Sequence, residues 1–517
     1  MTTTFAVGDY IVFIGTVIIS FGIGVFFWFR ENKKKHDTTE DYFLAGRKSK
    51  TLPVTLSFVV TFQSSIMVLA LPAEGYVYGM KYLFLAISGG IAFIFTAFFV
   101  VPVFHPLKLT SIYEYFNIRY GDNILRYVTM SIGVIYYLFY MGTVTYGTSV
   151  ALEVVMGIPY WATIIGYITL TAIYTSIGGI RAVIWTDCFQ FVIMVIGFIA
   201  IIVKGTIDAG GPGVVVSTDR FSFNEFSADP RIRYTFWNLS FGSIIYWLYY
   251  SYSQAAMQRV AAFSTLSSCL SSLAAIAYED VIIVRYPNIT PAFGTKISKI
   301  LSLVFGAVAM GISFIISVMP GSIQAISQSI FACMDGPMCM IFILSPMFKR
   351  STTKGLLAGA IVGMVVVMWL NMGKLFFSVE DDQSLPYGPT HNCDIYRNEN
   401  DTATMAYKYL NCSSSETSLI TNTTQTVDHS YPQTKTLIQH IYSISYVWFS
   451  LIGFIFSMVV GIVASLLTTP LTNVNPMTLF SWDKHIKGEL CGGGCDGDDK
   501  TPPTSVDEEM KFLSKNE

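Results

Sequence analysis

Long apolar runs, separated by short polar or basic stretches, make up most of this chain. A helix needs about 20 apolar residues to cross a bilayer. Runs of that kind fall at about residues 10–29, 55–79, 82–103, 125–155, 160–177, 183–203, 234–254, 299–318, 322–348, 355–375 and 446–467. The pattern predicts an all-α polytopic membrane protein of about eleven spans. One run differs from the others. TLSFVVTFQSSIMVLALPAEGYVYG, residues 55–79, is apolar at both ends, and its middle is Thr61-Phe62-Gln63-Ser64-Ser65. Polar groups at that depth are costly unless they face protein or a water-filled cavity. An unwound turn there would free backbone carbonyls for a hard cation such as Na⁺, as in the broken helices of secondary transporters. A polar stripe joining one helix to its neighbour fits the same residues.

Charge sets the expected orientation. Arg30, Lys33, Lys34, Lys35, Arg47, Lys48 and Lys50 follow the first run. The positive-inside rule places them in the cytoplasm and the N-terminus outside. Alternation then puts Lys108, Arg119, Arg181, Arg259, Lys349, Arg350 and Lys354 inside. Residues 377–440 are polar and carry N-x-S/T sequons at Asn400, Asn411 and Asn422. They read as an extracellular, glycosylated loop, in which Cys393 and Cys412 can pair as a disulfide. Residues 1–470 form the expected transmembrane domain and 471–517 a cytoplasmic tail.

Composition agrees with this class. The chain has 517 residues, of which 52% are hydrophobic and only 13% charged. The formal net charge of -2 argues against a nucleic-acid partner; the bilayer and a small-molecule substrate are the expected partners. The start lacks a basic n-region, so no cleavable signal peptide is expected. Cys491 and Cys495 in CGGGC are two ligands, too few for a structural zinc site. No nucleophile–base or metal-ligand constellation stands out, so the chain is not read as an enzyme.

Several words are more specific. DYFLAGR at 41–47, SIYEYFNIRYG at 111–121, YTSIGGIRAVIWTDCFQ at 174–190, QAAMQR at 254–259 and SYVWFSLIG at 445–453 together resemble the sodium/solute symporter family. TFQSSIMVLALPAEGYVYG resembles its multivitamin, monocarboxylate and iodide branch, with TFQS closest to the multivitamin transporters. The resemblance covers most of residues 9–470. It implies a leucine-transporter-like fold of two inverted five-helix repeats in the plasma membrane, with Na⁺ as coupling ion and no organic cofactor. It also implies a sodium site of the Val60 and Gln63 carbonyls, the Ala261 carbonyl and the Ser264 and Thr265 hydroxyls. Neutral oxygens of this kind hold a hard cation reversibly. Ser and Thr in an apolar helix also simply bond their own backbone.

Asp187 is an acid within the membrane pattern, and such residues are functional candidates. It can attract Na⁺ on its path to the cytoplasm or pair with Arg181. Phe62, Ser64, Ser65 and Met67 on the broken helix, with Trp247 and Tyr250 opposite, are the candidate substrate-cavity lining. Aromatic residues of membrane helices also serve as packing or interface anchors. No basic residue falls in these stretches, so an anionic solute would depend on helix N-termini, hydroxyls and co-bound Na⁺.

The chain departs from the family after QAAMQR. Arg259-Val260 runs straight into AAFSTLSSCLSSLAAIAYED, where the family has a further helix, an outer loop and half of the next helix. The second repeat therefore reads as incomplete. If residues 261–277 spanned, Arg285, Lys299 and the sequon loop would all invert, against the positive-inside rule. They are read as a half-helix. Two functions follow. One is a sodium-coupled symporter importing a small organic anion or vitamin, such as biotin, pantothenate, lipoate or a short monocarboxylate, with an iodide or other anion symporter as a lesser form. The other is a transport-deficient truncated isoform of such a symporter.

Overall fold

The computed structural model describes residues 7–32, 66–107, 111–252, 266–286, 289–319, 322–377, 437–469 and 475–480, together with Leu56, Val60, Ser64, Leu109 and Leu385. Helices dominate these residues, and no strand occurs among them. The main ones are α1 (Val7–Asn32), α2 (Leu71–Tyr78), α3 (Leu85–Phe95), α4 (Asn123–Met156), α5 (Tyr160–Asp208), α6 (Ile244–Tyr252), α7 (Leu266–Ile276), α8 (Pro291–Ser317), α9 (Ile323–Met347), α10 (Thr353–Phe377) and α11 (Phe449–Leu467). Among the described residues, seven segments are long and apolar enough to cross a membrane, and three shorter apolar helices accompany them.

Helices α9, α10 and α11 pack on one another, α6 lies against α3 and α9, and α7 lies among α4, α5 and α8. Close approach in the first group depends on missing side chains. Gly355, Gly359 and Gly363 recur every four residues along α10, so they share one face. A Cβ at Gly359 would stand 2.5 Å from the Ser457 carbonyl oxygen, and one at Gly336 would stand 2.5 Å from the Ser450 carbonyl oxygen. Small residues let helices meet this closely where lipid gives no hydrophobic drive.

The structure bears on the sequence reading at three places. Residues 160–208 form a single helix of 49 residues, where the charge pattern predicts two spans joined by a turn at Arg181. No proline interrupts the run, and a helix tolerates its paired glycines. At 1.5 Å per residue it is roughly 74 Å long, well beyond a ~30 Å hydrocarbon core. The expected half-helix at 261–277 is described from Leu266 and continues past Ala277, as a π-helical turn to Ile282 and a last turn to Arg285. It lies within the protein, with Leu270, Ser272, Leu273, Ala274, Ala275 and Ile276 fully buried. The first compact unit extends to Leu479, beyond the expected end at 470. The reason is local: Tyr115 donates to the Thr478 carbonyl at 3.0 Å and Arg119 donates to its hydroxyl at 3.4 Å.

Candidate functional site

The run at 55–79 is interrupted. Leu56 and Val60 are helical, Ser64 is not, and a π-helical turn restarts the helix at Ile66–Ala70. The Ser64 carbonyl accepts from Val68 N–H at 3.1 Å, which ties the restart to the break. Single π turns of this kind often sit at functional sites. Val60 and Ser64 are both buried.

A cavity lies beside the break. Ser64, Ile66, Met67, Leu71, Leu85, Tyr140, Tyr246, Trp247, Tyr250, Gln324 and Gln328 line it. Four of the residues expected to form the substrate cavity, Ser64, Met67, Trp247 and Tyr250, are therefore brought together. The other two, Phe62 and Ser65, lie outside the described residues. About 20 Å³ is open to the centre of a water molecule, room for about one water. The cavity is thus nearly shut. Tyr246 and Tyr250 join hydroxyls at 3.0 Å across one turn of α6. Gln324 donates to the Tyr82 hydroxyl at 2.8 Å, while its own carbonyl oxygen and the Trp247 indole N–H have no partner among the described residues. Among the described residues, no lysine, arginine or histidine lines the space. A larger cleft of about 700 Å³ lies between α1 and α5, but apolar side chains and Cys188 form it and it holds none of the candidate residues.

Reading the sequence missed Tyr140, Gln324 and Gln328. A signal existed: Gln324 and Gln328 are four apart in an apolar span and so share a helix face.

Towards one end of the bundle lies a buried ion pair. Arg233 Nη2 donates to both oxygens of Glu74, and Tyr234 and Ser322 donate to them at 2.7 and 2.9 Å. The Arg233 guanidinium lies 4.2 Å from the Tyr78 ring centre. The other end holds a second buried pair. Arg126 Nε donates to Asp280 at 2.8 Å, and Ser111 donates to the other carboxylate oxygen. Next to it, burial pushes the Glu279 carboxyl up to about 7, with Glu114 and Asp280 adding to the rise.

Asp187 is buried within α5. Of the expected sodium ligands only Val60 falls among the described residues; Gln63, Ala261, Ser264 and Thr265 lie outside them, as do Asn400, Asn411, Asn422, Cys393 and Cys412. No cluster of three or more His, Cys, Asp or Glu suited to a metal occurs among the described residues.

Apolar helices around an interrupted helix and a buried polar cavity are an arrangement that secondary transporters use. The chain matches the model of the sodium:solute symporter family over residues 42–225. It is similar to the mouse (Mus musculus) sodium-coupled monocarboxylate transporter 2, with 27% identity over 97% of this chain and 92% of that one. The rabbit (Oryctolagus cuniculus) sodium-dependent multivitamin transporter is 28% identical over 94% and 88%. The human (Homo sapiens) sodium/iodide cotransporter is 27% identical over 90% and 84%. The fold is leucine-transporter-like. A solved Na⁺-coupled sialic acid symporter in a substrate-bound outward-open state superposes with a TM-score of 0.62, at 18% identity, over 90% of this chain and 98% of that one.

Proposed function

We propose that this chain imports a small organic anion or vitamin across the plasma membrane, driven by Na⁺. The observation that carries the reading is the cavity at the helix break, where Ser64, Met67, Trp247 and Tyr250 meet. Its open Trp247 N–H suits a carboxylate, and its open Gln324 oxygen suits a hydroxyl or N–H on the same solute. A halide offers no such donor. Without a basic side chain in the lining, charge balance falls to Na⁺ bound at the break, by the Val60 and Gln63 carbonyls and the Ala261, Ser264 and Thr265 oxygens. In this mechanism Na⁺ steadies the broken helix and completes the cavity, and its inward gradient drives release inside. Asp187 lies on the proposed ion path.

A second reading keeps its own support. The mouse alignment spans 598 positions against 517 residues here, so at least 81 positions of that relative have no counterpart in this chain. The abrupt Arg259-Val260 junction is a natural place for such a loss, and it would leave the second repeat incomplete. The test is uptake of labelled biotin, pantothenate, lactate, nicotinate and iodide, with Na⁺ and with choline in its place. Cells would express this chain or a version carrying the relatives' segment after Arg259. Na⁺-dependent uptake of an organic acid by the chain itself supports import. Uptake by the restored version only supports the truncated form, and uptake of iodide alone rejects the organic-anion reading.

A further inference from the structure

Asp335 lies midway along α9 and is fully buried. Ser450 Oγ on α11 donates to its Oδ2 at 3.3 Å, and its Oδ1 has no hydrogen-bond partner among the described residues. No lysine, arginine or histidine of the described residues forms an ion pair with it. The titratable groups in electrostatic reach are Tyr136 on α4, Tyr246, Tyr249 and Tyr250 on α6, and Cys333 and Cys339 on its own helix. From α11 it meets the Ser450 hydroxyl. All of these are uncharged near neutral pH in their ordinary states.

Its place relative to the cavity is specific. Gln324, Gln328, Phe331 and Asp335 follow one another at offsets of four, three and four, a single face of α9. Gln324 and Gln328 line the cavity. Phe331 comes next, and its ring meets Tyr136 at 4.8 Å; Tyr136 meets Tyr249 at 4.6 Å. Along this face of α9 Phe331, backed by Tyr136 and Tyr249, comes between the cavity-lining glutamines and Asp335, as an aromatic floor. Tyr136 Oη is itself buried without a partner. A charged carboxylate with one hydroxyl partner at this depth is costly, whereas the neutral acid is not.

We propose that Asp335 is a proton-binding site linked to opening of the cavity. While the aromatic floor is shut, Asp335 is the neutral carboxylic acid. When the floor parts and water arrives, its O–H bond breaks, the proton passes to water and the carboxylate remains. Each opening then releases one proton to water, and each closing takes one back from water. Because the closed form holds the proton and the open form releases it, acid favours the closed form, by up to ~tenfold per pH unit for one linked proton. The linkage rests on the reading that this cavity opens and closes, but the protonation itself does not.

The test uses the purified full chain in lipid nanodiscs. Infrared difference spectra, taken across a range of pH, read the carbonyl band of a buried neutral acid. Wild type minus Asp335→Asn is expected to show that band, and Asp335→Glu to move it. Hydrogen–deuterium exchange of Ile244–Tyr252, corrected for intrinsic rate, reads the opening. It is expected to rise several-fold with pH in the wild type and to be flat in Asp335→Asn, whose amide stands for the neutral acid. Absence of a band dependent on Asp335 overturns the site, whatever the outcome of uptake assays. An Asp335→Asn variant that still follows pH as the wild type does overturns the linkage. If Asp335→Asn fails to fold, Asp335→Glu decides: an unmoved band rejects the proposal and a moved band supports it.

Discussion

Nη2 of Arg233 donates to both carboxylate oxygens of Glu74, at 3.1 Å each, and so joins the end of the interrupted helix to the segment that leads into α6. Glu74 is almost fully buried, and Tyr234 and Ser322 complete its hydrogen bonds. Removing one partner from such a pair leaves an uncompensated charge, a loss of about 3–5 kcal/mol. Arg233→Met is expected to lower the melting temperature of the detergent-purified protein, and Arg233→Met with Glu74→Gln to recover part of that loss. An unchanged melt for the single variant would show that the pair contributes nothing net.

The helix contact at Gly359 is equally direct. A leucine there would drive its Cβ into the Ser457 backbone, which cannot move aside as a side chain can. Overpacking typically costs about 1–3 kcal/mol, and more where backbone must shift. Gly359→Leu is expected to abolish surface expression, while Gly90→Leu, where nothing lies within 4 Å, is tolerated. Surface biotinylation measures both.

Glu279 gives a pH signature at the other end of the bundle. Its carboxyl is held up to about 7, by burial first and then by Glu114 and Asp280. A carboxyl raised in the folded state binds more protons there than when unfolded. Its stabilising contribution is therefore present at low pH and is lost as pH rises toward about 7. Melting curves across that window should fall with rising pH in the wild type. Glu279→Gln is expected to flatten the part of the slope that this residue supplies.

For the proposed ion site, Thr265→Ala is expected to shift half-activation by Na⁺ to higher concentration, with little change in surface level. Replacing one neutral oxygen of several weakens ion binding without removing a helix. The measurement is Na⁺ titration of uptake in a transport-competent background. An unchanged titration excludes Thr265 from the site.

Topology is tested by glycosidase and epitope. At least one of Asn400, Asn411 and Asn422 is expected to carry a glycan, seen as a mobility shift that disappears in the triple Asn→Gln variant. A tail epitope should be reached by antibody after permeabilisation alone. Labelling of intact cells would reverse the proposed orientation.

The sequence by itself determined the class and the place of the break. Apolar runs of spanning length leave a chain no soluble solution, and polar residues at mid-run must be sheltered by protein. That is why the break at Ser64 was expected in this run; that Met67, Trp247 and Tyr250 line one cavity with it is seen in the structure. Tertiary structure alone decided what meets them. The sheltering of Gln324, Gln328 and Tyr140 beside the break depends on how α4 and α9 pack, which periodicity along either helix does not fix. The pairing of Glu74 with Arg233 joins residues 159 positions apart, and that of Arg126 with Asp280 joins residues 154 apart. The single helix through Arg181 and the tether of Thr478 to Tyr115 were likewise beyond local rules. A charge pattern reports a preferred side of the membrane, but whether the backbone turns, and what it then touches, is settled by packing among distant segments.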